Sequence, residues 1–496
     1  MLAVGGFWVL ALSGLSLHWS LNPQYRFGWF VPVLALYAGW NRWRTRPAPE
    51  QSCRWGLPAA LAVAIAILPT WLFSQPNPDW PLLNWIFVGE IAALTMSIVA
   101  FAGGGSWVRH FFFPVVLIFT AVPWPDYLES GFTQGLMRLV AKVAVTLLDL
   151  IGVPALQRGN LIEVSSGLVG VSEACSGIRS LQGSLMASLF LGELFRFSIR
   201  RRGFLVLISL VVAFVTNVVR AGFLAWSAAA SGVDSVERWH DPAGFTILAV
   251  CLAAIVGVAF YLDRNEQPPV SLLSVPISRP LPSWLFPGFL AWLGVIVTLA
   301  EIWYYDPSPP PESPWRLTPP SESTPVELPL VTMSNLHFDK ASTGKWTDLE
   351  GGQWMLYFFE WKFGPAFSRV AAQMHRPDIC LPASGQELKE DRGMRNFVVA
   401  GLTLPFHAYS FKQGDHLLFV YNGVWQFRSE RGAKHGPLSA SKRVAAWQSV
   451  QWRERKVGQQ VAEIGVTGYD DAAQADAALA ELLRKLLNCP PSTAAF

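Results

Sequence analysis

Nine apolar stretches dominate the first 303 residues of this 496-residue chain. A helix of roughly 20 mostly apolar residues covers the hydrocarbon core of a bilayer, where a chain must satisfy its own backbone hydrogen bonds. The stretches are Leu2–Trp19, Phe27–Trp40, Trp55–Phe73, Leu82–Ala102, Phe111–Pro123, Ser176–Phe195, Gly203–Phe223, Ala243–Leu262 and Trp284–Trp303. The second and fifth are short, so the expected number is eight or nine transmembrane helices. Charge follows the same division. Residues 1–303 carry 33 Lys, Arg, Asp and Glu, whereas the 193 residues that follow carry 40. The second density approaches the roughly 25% of an ordinary soluble protein. The expected fold class is a polytopic all-α membrane protein with a C-terminal extracytoplasmic α+β domain. A purely cytosolic enzyme is excluded.

Basic residues set the expected orientation, because Lys and Arg favour cytoplasmic connections. Arg42, Arg44, Arg46 and Arg54 crowd one connection, and Arg196, Arg200, Arg201 and Arg202 another. With nine spans both fall on one side, together with Arg109. An error of one span between them would have split the two groups. The reading is a multi-pass protein of the inner (plasma) membrane, with a cytoplasmic N-terminus and everything after Trp303 outside. The first apolar run lacks a charged leader and a small-residue cleavage site, so it reads as a retained helix.

Three regions follow from this pattern. Residues 1–265 form a transmembrane domain. Residues 266–325 connect it onward through the final helix at 284–303 and a Pro/Ser-rich linker, Pro307–Pro325. Residues 326–496 form the outer domain, with strand-like runs at Val326–Thr332, Gln353–Trp361, Phe397–Leu404 and His416–Phe427 and an amphipathic helix at Asp470–Leu487. Within the membrane part, Tyr127–Leu150 is apolar but holds Arg138, Lys142 and Asp149, which suits a helix lying along the interface. The turn-punctuated LIEVSSGLVGVSEA that follows reads as a hairpin on the outer surface.

The net charge of +3 and the absence of a basic stripe interleaved with aromatics argue against a nucleic-acid partner. The five cysteines form no CxxC pair and no zinc spacing, so neither a metal nor another cofactor is expected.

Topology brings three kinds of polar group to the outer level. Cys175 sits in Glu173-Ala-Cys-Ser-Gly-Ile-Arg179, where the sixth span begins. Asn217 and Arg220 close the seventh span, and His240, in Trp-His-Asp-Pro, precedes the eighth. A helix start and a nearby cation lower a thiol's pKa, and Arg179 follows Cys175 at the i+4 position. An imidazole can take the thiol proton and return it to a leaving amine. A guanidinium can stabilise a developing oxyanion. Arg220 needs a partner at membrane depth, and Asp234, Glu237 and Asp241 are the nearby acids. Each residue also has a plain structural reading: an apolar filler for a lone cysteine, a snorkelling arginine, a capping histidine. Cys53 and Cys251 are read as fillers of that kind. Glu90, mid-span, is read as protonated or paired with a polar group on another helix, and Glu193 as solvated near Arg196 and Arg200.

The string Ala174-Cys175-Ser176-Gly177-Ile178-Arg179-Ser180, followed by Asn217-x-x-Arg220 and His240, resembles the exosortase/archaeosortase family of integral-membrane cysteine transpeptidases. The resemblance implies an enzyme that acts on exported proteins with a C-terminal sorting motif, a transmembrane helix and a basic tail. It implies Cys175 as the nucleophile forming a thioester, Arg220 as the charge stabiliser and His240 as the proton carrier. Arg179 and Asn217 are possible supporting residues. The acyl group passes to an unidentified acceptor or to water. Further on, His375-Arg-Pro-Asp-Ile-Cys380-Leu-Pro-Ala-Ser-Gly385 is similar to an exported, exopolysaccharide-associated domain found fused to exosortases, although Leu381 and Gln386 depart from its pattern. Cys380 has three readings: a disulfide with Cys489, a free or recognition cysteine, or a second thiol site with His375. His407 and His416 read as packing or surface residues. The alternative function is a non-catalytic membrane scaffold for exopolysaccharide export or assembly. A transporter reading would need helices interrupted symmetrically in two halves, and no such repeat is visible.

Overall fold

In the computed structural model the described residues are 2–50, 53–170, 177–232, 234–263, 281–307, 315–328, 333, 336–364, 370, 377–383, 386–413, 416–427, 442–455 and 457–488. They form two compact units, residues 1–74 with 80–302, and residues 75–79 with 303–496.

The first unit is helical: α1 (Leu2–Leu21), α2 (Val31–Arg44), α3 (Gly56–Ser74), α4 (Pro81–Leu117), α5 (Asp126–Leu150), α6 (Ile178–Leu194), α7 (Ile199–Ser231), α8 (Asp234–Asp263) and α9 (Leu285–Trp303). Among the described residues, seven helical segments are long and apolar enough to cross a membrane. The chain is a polytopic membrane protein. One of the seven, 81–121, is not a single rod. Gly104 leaves helical geometry at φ 72°, ψ −161°, and the Trp85 indole donates to the Pro123 carbonyl at 2.7 Å. A straight helix would place residues 85 and 119 about 50 Å apart, yet the Trp85 and Phe119 rings lie 5.6 Å apart. The segment therefore doubles back at Gly104, as the two separate apolar runs predicted. Glycine is required there because few other residues adopt that backbone conformation.

The two ends of this unit differ in chemistry. At one end Glu193 of α6, only 9% exposed, receives Arg42 from α2 and Arg202 from α7. The Arg42 guanidinium also donates to the His110 carbonyl, and the His110 ring meets the Arg42 carbonyl at 2.8 Å. Glu193 is thus a buried clamp between both arginine-rich segments, not the solvated acid expected from its neighbours in sequence. A carboxylate at membrane depth persists only when paired, and here two guanidinium groups pair it. The two basic clusters do meet at one end, which we call the arginine end. Cys53, read as a filler, is exposed. Cys251 is buried, 3.0 Å from the Thr216 hydroxyl.

The opposite end holds the rest of the polar architecture. Tyr25, in the turn Pro23–Trp29 between α1 and α2, donates to Glu129 of α5 at 2.8 Å. After α5 come three short antiparallel strands, β1 (Ala155–Arg158), β2 (Leu161–Val164) and β3 (Gly167–Gly170). The Ser166 hydroxyl ties this sheet to the Ala228 carbonyl near the C-terminal end of α7, at 2.7 Å. Glu129 near the start of α5 and the sheet that follows its C-terminus are thus both tied to this end of the bundle, although Gly131–Leu150 is itself one of the seven segments long and apolar enough to span. Its inward stripe is Thr133, Met137, Val140, Ala141, Ala144 and Leu148, at helical spacing.

The second unit carries a six-stranded antiparallel sheet. Its strands are β5 (Lys340–Thr347), β6 (Gln353–Gly364), β7 (Glu387–Val399), β8 (Leu402–Gln413), β9 (His416–Phe427) and β10 (Val457–Thr467), in the order β5-β6-β10-β9-β8-β7. A two-residue pairing joins β4 (Arg316–Leu317) to β11 (Leu487–Asn488). Three helices accompany the sheet, α10 (Pro377–Ala383), α11 (Lys442–Gln451) and α12 (Ala472–Leu486). Alternate residues such as Leu356, Phe358, Phe406, Phe419 and Ile464 pack against Ala475, Leu479 and Leu483 of α12. Asp471 caps α12 by accepting from two backbone N–H groups. The unit is α+β, as composition predicted, with two differences in detail. The run Phe397–Leu404 is not one strand but the corner between β7 and β8, because Ala400 and Gly401 both take positive φ. Val326–Leu328 lie outside any strand, and the remainder of that expected run lies outside the described residues. His407 stacks on Tyr409 and meets Asp391 at 2.5 Å.

Candidate active site

Gly177 opens α6 in the left-handed region, φ 75°. A β-carbon there would lie 2.6 Å from the Asn217 side-chain nitrogen. Two independent constraints, backbone sign and the pressing Asn217 amide, thus demand glycine at the entrance to α6. Asn217 is 3% exposed and belongs to α7. One turn further along α7, Arg220 is 8% exposed and reaches α8, where its Nη2 donates to the His240 carbonyl at 3.0 Å and lies 3.3 Å from His240 Nε2. The guanidinium passes so close to Gly244 that a β-carbon there would sit 3.1 Å from Nη2. A small residue one turn after His240 is what lets the arginine lie against α8.

On its other side, His240 Nδ1 meets Asp241 Oδ1 at 2.9 Å. The neutral imidazole that satisfies both contacts carries its hydrogen on Nδ1, donated to Asp241, and presents the Nε2 lone pair to Arg220. Sequence order offered Asp241 only as a possible counter-ion for Arg220. In the fold Asp241 engages the imidazole instead. The signal was the adjacent His-Asp pair, which helical backbone direction alone does not resolve.

The structure therefore brings Gly177, Asn217, Arg220 and His240 together across α6, α7 and α8, at the end opposite the arginine clamp. Cys175 lies outside the described residues, as do Glu173, His375 and Cys489 and the side chains of Glu237 and Cys380. Arg179 stands in the first turn of α6. Away from the site, Glu90 accepts a hydrogen bond from Thr70 at 2.8 Å, the interhelical partner its depth requires.

One prediction arises from the glycine. Gly177→Ala forces a left-handed non-glycine residue and drives a methyl into Asn217, at a cost of roughly 1–3 kcal/mol. Because the strain falls between α6 and α7, thermal stability should drop by several degrees and processing should fall further still. Intact thermal stability beside intact turnover would show that the helix start tolerates displacement.

A membrane bundle that buries an arginine and an amide of α7 at one end, beside a half-buried imidazole of α8 and the glycine that opens α6, defines a membrane protein with a built polar site. Residues 19–257, 239 of the 496, match the family described as transmembrane exosortase. No curated protein and no solved structure matches the chain. That match supports a membrane cysteine peptidase or transpeptidase in general terms, of a family that acts on exported proteins with C-terminal sorting signals.

Proposed function

We propose that this protein cleaves the C-terminal sorting tail from exported proteins through a thioester on Cys175. The observation that carries this reading is the contact of buried Arg220 with half-buried His240 near the N-terminal end of α6. Cys175 precedes Gly177 by two residues, and two residues of extended chain span at most about 7 Å. In the proposed reaction His240 Nε2 exchanges its contact with Arg220 for the thiol and takes its proton, and the thiolate sulfur attacks the scissile carbonyl. Arg220 holds the oxyanion as the carbon–sulfur bond forms. The carbon–nitrogen bond then breaks, and His240 returns the proton to the departing amine. An acceptor amine, another nucleophile or water finally displaces the sulfur. Arg179 contributes positive charge at the same helix start, and Asn217 fixes the turn at Gly177.

We place the site end of the bundle at the outer surface of the inner membrane and the arginine end in the cytoplasm, in keeping with the positive-inside bias. The C-terminal α+β unit then lies outside, where it presents substrate or acceptor. The resemblance of His375–Gly385 to an exported exopolysaccharide-associated domain supports a substrate among cell-envelope components.

The test is intact-mass and peptide mapping of a co-expressed tail-bearing protein with and without the enzyme. A shortened protein appears only with the enzyme, and any added mass on its new C-terminus identifies the acceptor. A tail of confirmed cognate sequence left intact by active, folded enzyme would instead favour a scaffold for exopolysaccharide export.

Proton transfer through His240 gives a pH signature. Imidazoles take up a proton in the range around pH 6.5, and the protonated ring cannot act as a base. Processing should decline as pH falls below about 6 and level off above about 7.5. A flat profile from pH 5 to 8 removes His240 from proton transfer while leaving Cys175 as nucleophile.

A further inference from the structure

Beside the site stands a second group of buried polar residues that the mechanism above does not use. Gln182 of α6 is 4% exposed, and neither atom of its amide has a hydrogen bond among the described residues. Thr133 of α5 is 6% exposed, and its hydroxyl likewise has none. Thr133 lies one helical turn beyond Glu129, on the stripe of α5 that faces the bundle. Tyr25 links the two helices. Its hydroxyl donates to Glu129 and accepts from the Trp124 N–H, both at 2.8 Å, and the Gln182 amide lies beside it without hydrogen-bond geometry. Burial first, and then the Glu129 charge, hold the tyrosine well above the ordinary range, so it stays a donor.

An unpartnered buried amide is costly, and more so in a bilayer, where water cannot serve as a substitute partner. An extended or unwinding peptide at membrane depth has the complementary deficit, because each residue carries one donor and one acceptor that must be satisfied. A glutamine amide offers one of each in the same plane. Gln182 stands five residues after Gly177, about 7.5 Å down the axis of α6 toward the arginine end. Two to three extended residues cover that distance. Going deeper from the cleavage point means going toward the transmembrane part of a substrate's tail.

We propose that Gln182, with Thr133, forms a subsite for the peptide backbone of the substrate, at the second or third residue after the scissile bond. The inference rests on the peptidase reading above and specifies how that site grips its tail. The N-terminal part of α5, held at this end through Glu129 and Tyr25, supplies Thr133.

Gln182→Met and Thr133→Val test it, since each keeps volume and removes hydrogen-bonding capacity. A buried amide without a partner contributes nothing to folding, so neither variant should lower the thermal midpoint, and Gln182→Met should raise it. The full-length enzyme in lipid nanodiscs is then assayed on the tail-bearing protein identified by the mapping experiment. Gln182→Met should raise KM roughly tenfold with kcat within about twofold, and Thr133→Val roughly threefold. Replacing the backbone amide by an ester at the second or third residue after the cut should raise KM for the wild type and add little for Gln182→Met. An unchanged KM, a lowered thermal midpoint or an equal ester effect in both enzymes overturns the subsite and leaves the peptidase reading in place. Processing that does not depend on Cys175 overturns both.

Discussion

Cys175→Ala abolishes tail release, with processing reduced about 10⁴-fold or more, because no other group in the proposed mechanism can form the acyl-enzyme. The variant should remain folded, since the Glu193 clamp and the Arg220–His240 pair that organise α2, α6, α7 and α8 do not require the thiol. Two measurements separate chemistry from scaffold. Hydroxylamine added during turnover by the wild type attacks a thioester and should yield substrate ending in a hydroxamate, detectable by mass. With the alanine variant that product should be missing although the substrate still binds. Equal cleavage by both enzymes would make Cys175 structural and hand the function to another residue. Equal absence of cleavage, with a tail confirmed as cognate, would favour the scaffold.

Most of the membrane fold is legible in the sequence because the bilayer reduces it to a length rule and a charge rule. Even the paired runs on either side of Gly104 could be separated, since the glycine-rich Gly103–Gly105 and Arg109 interrupt the apolar pattern. That Tyr127–Leu150 forms a helix with one inward apolar stripe was readable from its spacing, whereas its length and apolarity equally suit a span. Other features depend on which side chain meets which, and spacing does not encode that. Glu193 looks solvated beside Arg196 and Arg200, yet it is claimed by Arg42, 151 residues earlier. Asp241 looked like a counter-ion for Arg220, yet it takes the imidazole next to it. Tyr25, Glu129 and Gln182 carry no motif at all and come together only because the α1–α2 turn, α5 and α6 share one end of the bundle. In the second unit the alternation of β6 and β9 was clear. The β7–β8 corner was hidden because its flanking residues are as apolar as the strands they interrupt.

Arg220→Lys should lower kcat by about 10²-fold while changing KM little, although it keeps the charge. The reason lies in the geometry around the guanidinium. Nη2 donates to the His240 carbonyl and stands 3.3 Å from Nε2 of the same residue, so one planar group holds both the backbone and the ring of the proton carrier. In the proposed mechanism the same fork also reaches the oxyanion, and it passes close against Gly244. A lysine ammonium is a compact, strongly hydrated point charge, which cannot lie flat against Gly244 or hold His240 and an oxyanion in the same plane. Losing one positioned donor to a developing oxyanion typically costs 10²–10³-fold in turnover. The effect belongs in kcat because the oxyanion exists only in the transition state and its neighbouring intermediate. Steady-state rates at saturating and limiting substrate separate the two parameters. A lysine variant with wild-type kcat would mean that Arg220 supplies only charge, and the oxyanion role would pass to Arg179 or to the backbone N–H groups at the start of α6.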